Sequence, residues 1–253
     1  MLTNQLPPDS DMAIQNQNIS YTCGDTQHSG YLAWDEDTPE PRPGIVVIHE
    51  WWGLNDYIRS RADKLAAQGY SALAIDMYGD GMTAATPDEA GAAMNAVLGD
   101  MDTGFARLRA GFQALLDQPG VDSSRTAAIG YCFGGAMALH MARIGLPLSA
   151  VVSFHGALGS FHRPQPGEVK ARLLVCHGGD DAMVSKDEVE AFREEMGAAE
   201  ADYRIIVHPG AMHGFTSPEA DENGRKFNIP VGYDAAADHD SWAAMMTLFS
   251  ETF

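Results

Sequence analysis

A cysteine lies between glycines in the stretch from Ile129 to Gly135, which reads Ile-Gly-Tyr-Cys-Phe-Gly-Gly. A predicted strand ends here and a helix begins, so the spacing G-x-C-x-G is the thiol form of a nucleophile elbow. The glycines let strand and helix pass closely and leave the Cys132 sulfur exposed above the helix N-terminus. The partial positive charge of that terminus favours a thiolate. A buried structural cysteine is the alternative, but the glycine spacing favours a nucleophile.

A thiol nucleophile needs a base and an acid that orients the base. His213 lies in a glycine-flanked loop after a later apolar run and is the predicted base. Asp180 and Asp181 follow the preceding run, and both could instead simply begin a turn. Asp181 is favoured as the acid because two residues and then a valine follow it, while Asp180 remains the alternative. The order nucleophile, acid, histidine is that of the α/β-hydrolase fold.

Other groups near the predicted strand ends could complete a site. The backbone N–H groups of Phe133 and Trp51 are placed to form an oxyanion hole. Five side chains are predicted to line a substrate pocket, with ordinary core packing as the alternative for each aromatic: Trp52, Tyr78, Phe154, His155 and Phe215. No metal site is predicted, because the spacing of His49, His155 and His177 matches no ligand pattern.

These residues require a sheet that brings its strand ends together. Six apolar runs are typical of buried parallel strands, and helical patterns lie between or after them. The runs span residues 44–50, 70–76, 125–131, 149–156, 172–178 and 202–209, and the helices 55–69, 133–144, 186–196 and 234–250. A capping box at Thr86 opens a further helical stretch that ends before Pro119. The pattern predicts a doubly wound, mostly parallel sheet with an antiparallel hairpin, residues 18–34, at its edge.

Composition limits the class of protein. The 253 residues are 45% hydrophobic and 20% charged, which predicts one globular domain over residues 1–253, with residues 1–15 as a poorly ordered extension. A formal charge of -19 would repel nucleic acid and anionic lipid. Three cysteines without a C-x-x-C pair, and no signal or membrane-spanning pattern, favour a cytoplasmic protein without a membrane partner.

Five motifs, in this order and spacing, resemble the dienelactone hydrolase family over about residues 16–250. They are IVVIHEWWGLN, IDMYG, GYCFGGAMA, HGGDDAMV and MHGF. The resemblance implies a cofactor-free hydrolase of small esters or lactones that forms a thioester on Cys132. It also implies that Glu50 hydrogen-bonds the resting Cys132 thiol and keeps it protonated until substrate displaces the carboxylate, which then helps to take the thiol proton. A buried carboxylate is costly without a partner, which supports this role; a salt bridge or solvent-facing position is the alternative.

One departure from the family concerns substrate charge. Family members that act on carboxylate-bearing lactones place arginines near the active site. Here no Arg or Lys occurs between Lys64 and Arg107, and none follows His213 until Arg225. A preference for neutral substrates is therefore expected, unless Arg225 or Arg163 folds back into the site.

Two other classes of function remain open at this point. One is a non-enzymatic α/β-hydrolase scaffold that binds ligands or regulates. The other is a thiol redox protein, which would need a resolving cysteine near Cys132, and neither Cys23 nor Cys176 lies in a neighbouring motif. The sequence leaves the oligomeric state open.

Overall fold

The computed structural model describes residues 14–253. The predicted N-terminal extension lies outside the described residues, apart from residues 14 and 15, which begin the first strand. The strands are β1 (Ile14–Cys23), β2 (Thr26–Asp35), β3 (Arg42–Ile48), β4 (Ser71–Ile75), β5 (Val121–Tyr131), β6 (Ala150–Phe154), β7 (Arg172–Gly178) and β8 (Tyr203–His208). The helices are α1 (Asp56–Ala66), α2 (Pro87–Leu98), α3 (Met101–Leu116), α4 (Phe133–Arg143), α5 (Lys186–Ala198), α6 (Ala220–Phe227) and α7 (Ala235–Thr252).

The eight strands form one sheet in the order β1-β2-β4-β3-β5-β6-β7-β8. β1 and β2 form an antiparallel hairpin at one edge, and β2 also pairs antiparallel with β4. All pairs from β4 through β3 to β8 are parallel. The predicted mostly parallel sheet with an antiparallel N-terminal edge is therefore confirmed, and the carboxyl ends of six strands meet along one rim.

The helices differ from the sequence prediction at two places. The stretch between Thr86 and Pro119 forms two helices, because Asp100 accepts a hydrogen bond from the Thr103 N–H at 3.2 Å and so caps a second helix, α3. α6 was not predicted, since it has only eight residues and a strongly polar sequence. Within residues 14–253 no helix is both long and apolar enough to cross a membrane.

Helices cover both faces of the sheet. Successive residues of β3 alternate between the two apolar clusters: Val46 and Ile48 pack with α2 to α5, and Ile45 and Val47 pack with α1 and α7. A strand buried on both faces needs apolar side chains at every position. This is why the parallel strands appear in the sequence as continuous apolar runs.

The start of α4 crosses the sheet at very short range. A Cβ atom on Gly130 would lie 1.9 Å from the Gly134 carbonyl oxygen, and one on Gly134 would lie 2.2 Å from that of Ile48. Backbone atoms on both sides leave no flexible group that could move aside. Only glycine permits this approach, which sets the position of the residue between strand and helix.

We expect Gly130→Ala to lower the free energy of unfolding by ~3 kcal/mol or more, because the added methyl group meets backbone. Gly197→Ala is the matched control: Gly197 lies in α5, and its added methyl group would have no neighbour within 4 Å. That change should stabilise the protein by ~0.5–1 kcal/mol through its helix propensity. Urea unfolding of both variants checks the prediction, and equal stabilities would contradict it.

Candidate active site

Cys132 lies at the junction of β5 and α4 in a left-handed backbone conformation, with φ 53° and ψ -117°. A non-glycine residue in this region is strained. The Cys132 N–H donates to the Phe154 carbonyl oxygen at 3.0 Å and to His155 Nδ1 at 3.2 Å. The strained residue is therefore held by hydrogen bonds from below as well as by the glycine crossing.

His155 begins a buried chain of hydrogen bonds beneath the nucleophile. Since Nδ1 accepts from Cys132, Nε2 carries the proton and donates to Thr216 Oγ1 at 2.7 Å. The Tyr57 hydroxyl lies 2.7 Å from the same Thr216 oxygen. Burial, together with the positive charges of His213 and Arg61, lowers the pKa of His155 well below its usual value. The ring is therefore neutral and remains an acceptor for the Cys132 N–H.

A buried ion pair closes this network. Arg61 on α1 contacts Asp238 on α7 at 2.9 Å and donates to the Thr216 carbonyl oxygen. The pair ties the two helices on one face of the sheet to the loop that follows His213. Arg61 was not identified from sequence, although it lies on the apolar stripe of α1 next to Ala62, where a buried charge must have a partner.

His213 and Asp181 form a buried pair. His213 Nδ1 lies 2.9 Å from Asp181 Oδ2, while Asp181 Oδ1 accepts the N–H groups of Met183 at 2.8 Å and Val184 at 3.2 Å. Burial raises the pKa of Asp181, but these hydrogen bonds and the positive charge of His213 outweigh it and lower the pKa. Asp180 is exposed. The geometry thus favours Asp181 over Asp180 as the partner of His213.

The other ring nitrogen of His213 is free to act on the nucleophile. Burial lowers the pKa of His213, but the negative charge of a Cys132 thiolate and the bond to Asp181 outweigh burial and raise it. Nε2 is buried and, besides its interaction with Cys132, has no hydrogen-bond partner within residues 14–253. Catalytic hydrogen bonds are often long or poorly aligned before substrate binds. A Cys132 proton transfer to Nε2 is consistent with this arrangement.

Glu50 follows β3 and is 6% exposed. Its carboxylate makes no hydrogen bond or ion pair within the described part of the chain, so the expected bond to the Cys132 thiol is not formed. Burial raises the pKa of Glu50 to about 7, although the positive charges of His213 and Arg61 act in the opposite direction. Glu50 is therefore a buried, unpartnered carboxylate at the edge of the site.

Two cavities border Cys132 and His213, and we call them the large and the small cavity. The large cavity has a volume of about 510 Å³. It is lined by Trp51, Met94, Leu98, Cys132, Phe133, Ala136, Met137, His140, Ala157, Gly159, Phe161, Met183, Val184, Glu188, His213 and Val231. The small cavity has a volume of about 20 Å³. It is lined by Glu50, Trp51, Trp52, Cys132, His213, Gly214, Ser217, Ala220, Asn223, Ile229 and Val231.

The two N–H groups predicted to form an oxyanion hole are available. Phe133 is the first residue of α4, and Trp51 follows the end of β3 by three residues. Neither N–H donates a hydrogen bond to any residue between 14 and 253. Both residues line the large cavity beside Cys132, so they can face a substrate carbonyl there.

Comparison with known proteins identifies the family. A model of the dienelactone hydrolase family matches residues 29–253. The chain belongs to the dienelactone hydrolase family. It is similar to the solved structure of P91, a dienelactone hydrolase-like promiscuous phosphotriesterase from metagenomic libraries, with 39% identity, a TM-score of 0.88 and coverage of 95% of this chain and 99% of that one.

Two further relatives agree with this assignment. The solved structure named m3DLH is 40% identical, with a TM-score of 0.90 and coverage of 95% of this chain and 99% of that one. A relative in Escherichia coli (strain K12), provisionally named a carboxymethylenebutenolidase, is 28% identical over 87% of this chain and 81% of its own. The predicted family and α/β-hydrolase fold are confirmed. The family is one of ester and lactone hydrolases, and the non-enzymatic alternative is set aside.

The predicted pocket walls of this dienelactone hydrolase family member need correction. None of the five lines the large cavity: Trp52, Tyr78, Phe154, His155 and Phe215. Trp52 lines the small cavity, and Tyr78 donates its hydroxyl to the Trp51 carbonyl oxygen at 2.8 Å. Phe154 and Phe215 are buried in the core beneath α1 and α7. Side chains alternate between the faces of a strand, so nearness to a strand end did not determine the face.

The true walls of the large cavity come mostly from helices. Met94 and Leu98 lie four residues apart on α2, and Ala136 and Met137 lie on the first turn of α4. The sequence feature that could have identified this wall is the apolar pair on α2. In the structure both side chains are only half-buried. Val231 borders both cavities, and it is brought there by α6, which was not predicted.

The ionised Glu50 carboxylate should lower the free energy of unfolding, by an amount that depends on pH. Its pKa rises from 4.5 in the unfolded chain to about 7 on folding. The folded state therefore holds the proton more tightly, so stability falls as pH rises from 4.5 to 7 and stays low above 7. The difference in free energy of unfolding between Glu50→Gln and the wild type should change by about 2 kcal/mol in favour of the variant as the pH rises from 5 to 8.

Thermal unfolding at the two pH values measures this change. Glu219→Gln removes the same charge from an exposed neighbour, where solvent screens it. It should show little of the pH-dependent gain. If Glu50→Gln gains no more than Glu219→Gln, the burial of an ionisable carboxylate at residue 50 is not what limits stability.

Proposed function

We propose that this protein hydrolyses small, uncharged esters or lactones through a Cys132 thiolate, without a cofactor. The observation that carries the proposal is the His213–Asp181 pair, joined at 2.9 Å beside a cysteine held at the start of α4. A nucleophile, a base and an orienting acid are what acyl transfer requires. The large cavity, which opens at the same cysteine, supplies an apolar place for the substrate.

The first half-reaction uses groups that line the large cavity. His213 Nε2 takes the Cys132 thiol proton, and the thiolate attacks the carbonyl carbon of the ester. The N–H groups of Trp51 and Phe133 stabilise the negative oxygen of the tetrahedral intermediate. His213 then protonates the departing alkoxide as its C–O bond breaks. A thioester on Cys132 remains, and water must resolve it.

An uncharged substrate follows from the walls of the large cavity. Within the described chain it has no Arg or Lys in its lining, and Glu188 is its acidic member. Arg163 and Arg225 are exposed, and neither borders either cavity. A buried carboxylate without a cationic partner costs several kcal/mol. Amides fit less well, because a thiolate leaves a tetrahedral intermediate more easily than an unprotonated amine.

A second candidate activity comes from the likeness to P91, which is described as a promiscuous phosphotriesterase. A phosphotriester is also uncharged, and the same thiolate could attack its phosphorus. The apolar large cavity suits both kinds of substrate. Carboxylic esters and lactones remain the first candidate, since the family is one of ester and lactone hydrolases.

A thiol redox function receives no support from the other cysteines. Cys176 is buried within β7, and burial raises its pKa to about 12. A resolving thiol must instead be accessible and readily ionised. Hydrolysis through Cys132 is therefore the better proposal.

The nucleophile is tested by Cys132→Ala, which should abolish hydrolysis of p-nitrophenyl acetate while the fold persists, since glycines rather than sulfur hold the elbow. Cys132→Ser should be much weaker than the wild type, because a hydroxyl is far less acidic than a thiol. Intact-mass spectrometry should detect a covalent acetyl group on the wild type and none on the alanine variant. Retention of more than a few per cent of turnover by Cys132→Ala would remove Cys132 from the mechanism.

The two neighbouring aspartates provide a matched pair for the same assay. Asp181→Asn should lower kcat/KM by ~10²-fold or more, because the amide orients His213 poorly and cannot stabilise its charge. Asp180→Asn makes the same chemical change one residue away, at an exposed position. It should leave kcat/KM nearly unchanged; the reverse ranking would transfer the role of acid to Asp180.

Substrate charge is tested with matched neutral and carboxylate-bearing substrates. We expect kcat/KM for the neutral member to be higher by roughly tenfold or more, a difference of ~1.4 kcal/mol. The acidic lining residue and the net charge of -19 both disfavour the anion. Efficient turnover of the anionic substrate that is lost in Arg163→Ala or Arg225→Ala would instead mean that one of these arginines reaches the site.

A further inference from the structure

The second half-reaction requires a water molecule, and the small cavity is a place for it. Its volume of about 20 Å³ holds about one water molecule. It borders Cys132 and His213, as the large cavity does, and it adds Glu50, Ser217 and Asn223. A water here would be next to a thioester whose acyl group extends into the large cavity.

Two polar groups at the small cavity lack partners. The Glu50 carboxylate makes no hydrogen bond within residues 14–253, and the buried His213 Nε2 has no partner there besides its interaction with Cys132. Unpaired buried polar groups are costly, and an ordered water typically satisfies about three of them. The polar side chains of Ser217 and Asn223 offer further contacts. The small cavity therefore combines the volume and the chemistry needed to hold one water.

We propose that Glu50 is the general base of deacylation and binds the hydrolytic water in the small cavity. This inference rests on the thioester mechanism proposed above. It goes further, because it assigns Glu50 to the second half-reaction and gives the water a site distinct from that of the acyl group.

The step balances as follows. The water oxygen attacks the thioester carbonyl carbon and forms a C–O bond, while one water proton moves to the Glu50 carboxylate. The tetrahedral intermediate collapses, the C–S bond breaks, and its electron pair remains on sulfur. The proton on Glu50 then passes to the Cys132 thiolate, which regenerates the thiol and the carboxylate. The carboxylic acid product leaves and loses its own proton to solvent.

Electrostatics favours Glu50 over His213 as the base at this stage. The pKa of His213 is raised largely by the charge of the Cys132 thiolate, and a thioester sulfur has no charge. In the acyl-enzyme, burial therefore lowers the pKa of His213 with less opposition. His213 is then a weaker base than in the free enzyme. Burial raises the pKa of Glu50 to about 7, which suits a base that works near neutral pH. The base thus changes between the two half-reactions.

Rapid mixing of Glu50→Gln with p-nitrophenyl acetate separates the two half-reactions. We expect a burst of p-nitrophenol, equal to the concentration of Cys132 and with a rate within a few fold of wild type. The steady-state rate should then fall by ~10²-fold or more, the usual loss when a general base is removed. Intact mass should detect the acetyl-enzyme accumulating. At a pH well above the Glu50 pKa of about 7, Glu219→Gln, which removes a nearby charge outside both cavities, should keep the wild-type partition between burst and steady state.

The pH dependence of the wild type provides a second measurement, which does not depend on whether Glu50→Gln folds. The charged groups that act on Glu50 are His213, Arg61 and Glu219, and Glu219 raises its pKa. Hydrolysis of preformed acetyl-enzyme should slow as pH falls through about 7, where Glu50 gains its proton. Glu219→Gln should shift this acid limb only slightly to lower pH, because Glu219 is exposed and makes the smallest of these contributions to the Glu50 pKa.

Three results would overturn the inference. Loss of the burst in Glu50→Gln without accumulation of acetyl-enzyme would assign Glu50 to acylation. Unchanged burst and steady-state rates would remove it from both half-reactions. An acid limb near pH 7 that persists unchanged for the acetyl-enzyme of Glu50→Gln would assign deacylation to another base. Absence of any acetyl-enzyme on the wild type and Glu50→Gln is a different failure, since it would overturn the proposed thioester mechanism itself.

Discussion

The conformation of Cys132 is the constraint on which the rest of the site depends. Its left-handed backbone, with φ 53°, is tolerated because Gly130 and Gly134 let α4 start almost in contact with the ends of β3 and β5. The same turn aims the sulfur at both cavities and leaves the Phe133 N–H without an intrahelical acceptor. A small change in this crossing would therefore disturb the proposed nucleophile and the proposed oxyanion donor together. The His155 chain beneath it holds the turn from the other side of the sheet.

Charged side chains are unevenly distributed around Cys132. The chain has a formal charge of -19, and among residues 14–253 no Arg or Lys lines the large cavity. Both features support the proposed preference for uncharged substrates. Glu50, in contrast, is an acidic group that the fold buries without a partner, at a cost in stability that grows with pH. A destabilising carboxylate at the edge of a candidate active site is typical of a residue kept for catalysis rather than for folding.

Local pattern was enough to predict much of this protein. Strands buried on both faces need unbroken apolar runs, so the number of parallel strands and their positions along the chain followed from the sequence. The turn around Cys132 could also be predicted from the sequence, because only glycine fits at Gly130 and Gly134. The order of Cys132, Asp181 and His213 along the chain, with the strand ends that precede them, then brought these three residues to one rim of the sheet. All of these features depend on short-range steric rules.

The cavities were decided only by the tertiary structure. Whether Phe154 faces substrate or core depends on the register of β6 within the sheet, and its side chain falls on the core face. The large cavity is walled by α2, α4 and Val231, residues far apart in sequence that no local pattern connects. The same holds for the surroundings of Glu50, since a motif predicts the carboxylate but not the residues that bury it. Side-chain direction and long-range packing set these features, and neither is encoded within one segment of chain.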